Sequence, residues 1–164
     1  MTYLFDANTF IEANNRYYAM NVCPAYWEWI KKSHDSSLVI SVTNVRDELV
    51  SYGDDLSEWA KTNGDIFKPV SDEGVQGAFG EVVNYLTTVQ GMKPGALDRF
   101  LSGADPWLIA KAMNDGLTVV THENYSPEIK KDFKIPNVCE HFGIPYLDTF
   151  QVLAALEAKF ILQG

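Results

Sequence analysis

The sequence predicts an α/β fold of three layers, in which helices cover both faces of a central, mostly parallel sheet. Apolar runs at residues 3–5, 38–41 and 117–121 lack the polar–apolar alternation of half-exposed strands, so they are typical of strands buried on both faces. Helical patterns separate these runs, which indicates the βαβ units of a parallel sheet. The length of 164 residues predicts a single domain over residues 1–164.

Helix signals follow the strands in the first half of the chain. Pro24 has the backbone angle of a first helical turn, and Gly53 is a residue type that ends helices. Thr43 or Asn44 can cap the helix that follows the second strand. The elements that we expect here, in order, are the strand at 3–5, helices at 9–14 and 24–32, the strand at 38–41, a helix at 45–52, and a helix that begins at residue 54 or 55.

We expect the middle of the chain, residues 57–101, to be a helical insertion. Residues 67–70 are interpreted as a connector, because the run is short and Pro69 is unsuited to a central strand. Asp72 and Glu73 are acids placed where a helix begins. From there on, the expected elements are helices at 71–90, 94–100 and 105–114, a strand at 117–121, a helix at 137–142, a strand at 146–147 and a helix at 149–162.

Composition narrows the location and the partners of the protein. The N-terminus lacks the basic and apolar regions of a signal peptide, and Glu157 and Lys159 interrupt the longest apolar stretch, so we expect a cytoplasmic protein outside the membrane. A net charge of −9 argues against broad, non-specific binding of nucleic acid. It leaves open a nuclease whose acids hold metal cations, and equally a protein that binds a basic partner. No glycine-rich phosphate loop is present, which argues against a nucleotide cofactor.

Four carboxylates follow strands of the predicted sheet. Asp6 ends the first apolar run, and Glu48 lies in the second turn of the helix after the second strand. Glu123 comes two residues after the strand at 117–121, and Asp105 begins the helix before that strand. Because the carboxyl ends of parallel strands open on one side of a sheet, we expect these acids to converge there.

Each of these acids also has an explanation that needs no function. Asp6 can cap the following helix, and Asp105 can be the N-cap of its own helix, directly before a proline. Asp47 competes with Glu48, and both are placed to complement a helix dipole. Glu123 can be a solvated loop residue. Taken singly, these explanations remain open.

The convergence of several acids favours a bound cation. Two carboxylates about 4 Å apart repel each other by roughly 4 kcal/mol at an effective dielectric constant near 20. Oxygen ligands without a His or Cys pair favour Mg²⁺ or Mn²⁺ over Zn²⁺. Such a site suits metal-assisted hydrolysis of a phosphodiester, because the metal activates a water and neutralises charge on the phosphate.

Four motifs of this chain resemble those of the PIN-domain nucleases, in a divergent branch near the VapC-like toxins of bacterial toxin–antitoxin modules. In chain order, the motifs are LFDAN at 4–8, VRDEL at 45–49, GADPWLIA at 103–110 and VVTHE at 119–123. The resemblance covers nearly the whole chain. It implies a three-layer PIN-like fold with a metal-dependent acidic site that cuts RNA.

The resemblance also implies roles for single residues. Asp6, Glu48 and Asp105 match the three principal acids of the family, and Glu123 takes the fourth position, where the family usually has Asp. These four would be catalytic and would bind Mg²⁺ or Mn²⁺. The supporting residues would be Asn8 and Thr121. The implied partners are RNA, a cognate antitoxin and a second copy in a homodimer.

The leading hypothesis is therefore a metal-dependent ribonuclease, the toxin of a toxin–antitoxin pair. The alternative is a catalytically silent PIN-like module that engages a basic protein partner. An aspartyl-phosphate phosphatase is disfavoured, because Asn8 stands where that chemistry needs a second Asp. Further residues with an open role near the site are His122, Lys130, Lys131 and Lys134.

Overall fold

The structure, a computed structural model, describes residues 1–128 and 131–163. Five short strands form one sheet in the order β3-β2-β1-β4-β5, and every neighbouring pair is parallel. Tyr3 of β1 pairs with Val39 of β2, and Phe5 of β1 pairs with Val120 of β4. The strands are β1 (Tyr3–Phe5), β2 (Val39–Val42), β3 (Phe67–Lys68), β4 (Thr118–Val120) and β5 (Tyr146–Leu147).

Nine α-helices connect and follow these strands within the described residues. They are α1 (Ala7–Glu12), α2 (Pro24–Asp35), α3 (Thr43–Ser51), α4 (Asp55–Thr62), α5 (Glu73–Thr88), α6 (Ala96–Ser102), α7 (Asp105–Asp115), α8 (Ile135–Phe142) and α9 (Thr149–Ala155). A π-helical turn at Ala13–Tyr17 extends α1, and a 3₁₀ turn at Gly64–Ile66 precedes β3. None of the helices in the described ranges has the length and apolar character needed to cross a membrane.

The order of the strands explains the three layers. The chain runs from β1 through β2 to β3 in one direction, then returns across the sheet to β4 and β5. Because crossovers between parallel strands are right-handed, the helices of the two directions cover opposite faces. The direction reverses between β1 and β4, and in such sheets ligands bind at the carboxyl ends of the strands beside this reversal. The predicted three-layer α/β/α fold with a parallel central sheet is confirmed.

The apolar runs of the sequence become the centre of the core. Leu4, Phe5, Val39, Val119 and Val120 have no solvent exposure. Burying a side chain of this size stabilises a fold by roughly 1.5–3 kcal/mol, so the three inner strands are held firmly by helices on both faces. This rigid centre fixes the positions of the residues that follow each strand.

The middle of the chain differs from the expected helical insertion in one respect. Residues 67–70 are not only a connector, because Phe67–Lys68 form the edge strand β3 beside β2. An edge strand of two residues tolerates the following Pro69, which would interrupt a central strand. Val82 and Leu86 of α5 are buried in the same core as the strands.

Several helix bounds also differ from the prediction. Compared with the expected starts, α1, α3 and α8 begin two residues earlier, α5 and α6 begin two residues later, and α9 ends at Ala155 rather than at residue 162. The first helix begins at Ala7 rather than at residue 9, and its π-helical continuation ends at Tyr17. The helix after β2 begins at Thr43, and its N-cap position, Val42, makes no side-chain capping bond. The capping interpretation of Thr43 and Asn44 was therefore wrong, because β2 runs into α3 without a loop.

Candidate metal and catalytic site

Asp6 is the acid at the centre of the site. β1 ends at Phe5, so Asp6 stands at the carboxyl edge of the sheet, and only 3% of it is exposed. Its side chain makes no capping bond to α1, which removes the capping explanation. Instead, the Thr121 hydroxyl donates to Asp6 Oδ2 over 3.0 Å.

The predicted supporting residues meet at the Thr121 hydroxyl. Besides donating to Asp6, this oxygen accepts from Asn8 Nδ2 over 3.3 Å and from the Glu123 backbone N–H over 3.1 Å. A hydroxyl offers one donor and two acceptor positions, so its hydrogen bonds are complete. Asn8 Oδ1 also accepts from the His122 N–H over 3.1 Å. The network fixes the loop after β4 to the start of α1.

Glu48 reaches the site from α3. Its Oε1 accepts a hydrogen bond of 3.0 Å from the backbone N–H of Ala104, the residue before Asp105. Its rival Asp47 has a side chain that is 76% exposed and lies 4.0 Å from Arg46. The structure therefore brings Glu48 to the site and leaves Asp47 at the surface.

Asp105 is the first residue of α7, and Ala104 is the N-cap. The prediction that Asp105 caps this helix was wrong by one position, and the side chain makes no capping bond. The pKa of Asp105 is raised to about 7, mainly by burial and also by the charges of Glu123 and Glu48, while Lys134 opposes the rise. Its carboxyl group thus faces other acids rather than the helix N-terminus.

Glu123 completes the group from the loop after β4. Burial raises the pKa of its carboxyl group, while Lys134 and the backbone N–H of Ile135, at the start of α8, act in the opposite direction. Glu123 Oε2 is buried and has no hydrogen-bond partner in the described part of the chain. A buried carboxylate oxygen without a partner is costly, and a cation would compensate it.

The electrostatics show that the four predicted acids converge. The pKa of Asp6 is raised well above its ordinary value by burial, and further by the charges of Asp105 and Glu123. Asp105 in turn responds to Glu123 and Glu48. These acids come from four different segments of the chain, which meet at the carboxyl edge of the sheet near the reversal between β1 and β4.

The donor set fits a hydrated Mg²⁺ or Mn²⁺ ion. Within residues 1–128 and 131–163, no three His, Cys, Asp or Glu side chains lie close enough to enclose a metal ion directly. Mg²⁺ commonly keeps several waters and is bound through one or two carboxylates and a substrate phosphate. The four acids, with the unpaired Glu123 Oε2, match that kind of binding and not a closed cage.

The structure describes two of the three lysines that were expected near the site, and these two differ in their surroundings. Lys134 lines a cavity of about 220 Å³ together with Asp105 and Glu123. Lys131 is exposed, and its backbone carbonyl accepts from Arg99 over 3.2 Å. Lys130 lies outside the described residues. Of this group, Lys134 is the cation that the described structure places among the acids.

Three aromatic rings beside the site include two that the sequence did not single out. His122 Nε2 lies 3.2 Å from the Thr149 hydroxyl, and its ring centroid lies 6.2 Å from that of Tyr17 and 5.8 Å from that of Phe150. Tyr17 and Phe150 come from distant segments, and neither belongs to a motif. Only the fold brings them together.

Comparison with known proteins identifies a family and a similar fold. The family model described as domain of unknown function DUF4411 matches residues 3–160. Among solved structures, the chain is similar to one from VapBC2 of Rickettsia felis, determined bound to a DNA fragment from the promoter. The two chains are 15% identical with a TM-score of 0.53, and the match covers 90% of this chain and 98% of the other. No curated protein matches this chain.

Proposed function

The chain belongs to the DUF4411 family and is a VapC-like relative with a PIN-like fold. From its site we propose that it is a metal-dependent ribonuclease, the toxin of a toxin–antitoxin pair. The observation that carries this proposal is the meeting of Asp6, Glu48, Asp105 and Glu123 at the carboxyl edge of the sheet. In the proposal these four acids hold Mg²⁺ or Mn²⁺. When bound, such an ion activates water for attack and neutralises the charge that builds on phosphate.

The surroundings of each acid define its part in the proposal. Thr121 holds one oxygen of Asp6, and the Ala104 N–H holds one oxygen of Glu48, so each keeps its second oxygen for the ion. The pKa of Asp105 is raised to about 7, so without a bound cation its carboxyl group keeps its proton to a higher pH than an ordinary aspartic acid does. Binding of a cation displaces that proton, since metal ligands must be deprotonated.

We further propose that a cognate antitoxin protein and RNA are the partners. The similar chain comes from a structure of VapBC2, which supports a protein partner for this chain as part of the proposal. RNA is the proposed substrate because the four motifs resemble those of nucleases that cut it. A homodimer remains a prediction from the same resemblance.

The test is cleavage of a single-stranded RNA by the purified protein with Mg²⁺ or Mn²⁺, and then with EDTA. We expect cleavage that requires the metal and that falls about 100-fold or more in Asp105→Asn, the size of effect seen when one electrostatic contact to a reacting centre is lost. Asn is nearly the same shape as Asp, so the substitution removes charge with little change in packing.

The same helix offers a matched control. Asp115 is the last residue of α7 and pairs with Lys111 over 2.8 Å, at the opposite end from Asp105. A pair of this kind contributes about 0.3–0.5 kcal/mol, so Asp115→Asn should keep both its fold and its cleavage rate. Equal activity of wild type and Asp105→Asn would place any cleavage elsewhere. No cleavage, with no rise in Tm on adding the cations, would favour the silent module that binds a basic partner.

A further inference from the structure

Two exposed aromatic side chains contact each other beside the candidate site. Tyr17 is 49% exposed and Phe150 is 41% exposed, and their ring centroids lie 5.0 Å apart in an edge-to-face arrangement. The His122 ring lies 6.2 Å from Tyr17 and 5.8 Å from Phe150. We call these three residues the aromatic platform. Exposed aromatic clusters of this kind commonly mark binding surfaces.

The backbone that carries Tyr17 is unusual. Tyr17 ends the π-helical turn, where the Tyr18 N–H donates to the Ala13 carbonyl over 2.6 Å, five residues back. Single π-helical turns are rare and occur often at functional sites, because they redirect side chains. Here the turn places Tyr17 against His122, instead of letting the chain leave α1 along an ordinary helical path.

The platform is continuous with the acids. His122 lies between Thr121, which donates to Asp6, and Glu123, one of the four acids. His122 lines one cavity with Thr121 and Glu123, so a nucleotide whose phosphate lies at the acids can place its neighbouring base on the platform. The Thr149 hydroxyl, 3.2 Å from His122 Nε2, fixes the ring in that position.

The charges nearby favour a neutral, flat ligand group over a phosphate. A cavity of about 830 Å³ lies beside the platform, and its lining includes His122, Glu123, Glu140 and Asp148. Glu140 and Asp148, which are not among the four acids of the site, repel phosphate, but they do not repel a nucleobase.

We propose that the aromatic platform stacks one unpaired base of the RNA next to the bond that is cut. This inference rests on the proposed function. Stacking on aromatic side chains is sequence-tolerant and needs a base that is not paired. The platform therefore holds that base and places the backbone at the acids.

The test uses fluorescence of 2-aminopurine in a short single-stranded RNA, which is quenched when the base stacks. Binding is measured in the Asp105→Asn background, so that the RNA stays intact. Replacing Tyr17 or Phe150 by Leu should abolish quenching at one RNA position and raise Kd about 5- to 150-fold, the equivalent of 1–3 kcal/mol for one stacked base. Tyr17→Phe and Phe150→Tyr should keep both quenching and affinity.

Controls separate stacking from folding and from loss of activity. Tyr52 directly follows α3, at the end of that helix distant from β2, and is 66% exposed. As an exposed aromatic residue outside the platform it serves as a control, and Tyr52→Leu should leave Kd and quenching unchanged. All variants should keep the Tm of their background. If the wild type cuts RNA but the Leu variants quench and bind as before, the platform proposal is wrong and the ribonuclease proposal stands. If the wild type neither cuts nor binds RNA, both are wrong.

Discussion

Asp6, Asp105 and Glu123 illustrate how burial and charge act together on single residues. Each has a raised pKa, and burial is the largest cause for each. Folding without a cation therefore forces acids to keep protons that they would lose in the unfolded chain. This cost is acceptable in a site that binds cations, because the bound ion removes it.

The pH dependence of stability follows from the sign of these shifts. In the unfolded chain Asp105 ionises near 3.8, whereas in the folded protein its pKa is about 7. Between these values the unfolded chain loses its proton first, so the free energy of unfolding falls as pH rises from about 4 to 7. In EDTA we expect the Tm of the wild type to decrease over this range, by roughly 2–4 °C for each kcal/mol lost.

Thermal unfolding of wild type and Asp105→Asn in EDTA between pH 5 and 8 measures this effect. The variant should show a shallower decrease and a higher Tm than the wild type at pH 8. Adding Mg²⁺ should raise the Tm of the wild type more at pH 8 than at pH 5. Parallel curves for the two proteins would contradict the assigned environment of Asp105.

At the scale of elements, the contact between α3 and the start of α7 connects two sides of the site. Glu48 Oε1 accepts from Ala104 N–H over 3.0 Å, and an added Cβ on the neighbouring Gly103 would lie 3.5 Å from the same oxygen. The carboxylate of Glu48 thus has a structural partner as well as a proposed part in cation binding. Two substitutions separate these contributions.

Glu48→Gln keeps an oxygen that can accept from Ala104 but removes the charge. We expect it to retain the wild-type Tm within about 1–2 °C, since only a surface-near charge changes, and to reduce metal-dependent cleavage about 10- to 100-fold. Glu48→Ala should lose both the activity and about 1 kcal/mol of stability, because the Ala104 N–H loses its partner. Cleavage rates and Tm values of the two variants separate the structural contribution of Glu48 from its proposed contribution to cation binding. Full activity in Glu48→Gln would contradict the proposal that Glu48 binds the cation.

The elements that the sequence predicted well are those specified by long local patterns. The apolar runs of β1, β2 and β4 and the order of the helices follow from local pattern. So does the start of α4, expected at residue 54 or 55, where the Asp54 side chain accepts from Ser57 N–H over 2.9 Å. The strand β3 and the π-helical turn depend on contacts with distant segments. For the same reason, the motifs indicated the four acids, whereas the contact of Tyr17 with Phe150 could not be inferred from either segment alone.

For the whole molecule, the net charge of −9 and the acidic site create a field that repels RNA. An RNA that binds here must be attracted locally, by bound cations and by a few basic side chains. Within the described residues, Lys134 is in no ion pair of 4.0 Å or less, yet it lies in one cavity with Asp105 and Glu123. It is therefore placed to contact a phosphate that approaches the acids.

This placement gives a prediction for the salt dependence of RNA binding. Each phosphate of a single strand that a protein neutralises contributes a slope of about −0.7 to the plot of log affinity against log salt. With saturating Mg²⁺ in the Asp105→Asn background, we expect a shallow slope, and Lys134→Ala should make it less steep by about one such unit. Lys131→Ala, at an exposed neighbouring position, should leave the slope unchanged. If Lys134 only moderates the charge of Asp105 and Glu123, its removal will instead weaken Mg²⁺ binding and leave the salt slope as it was, because no phosphate contact is lost.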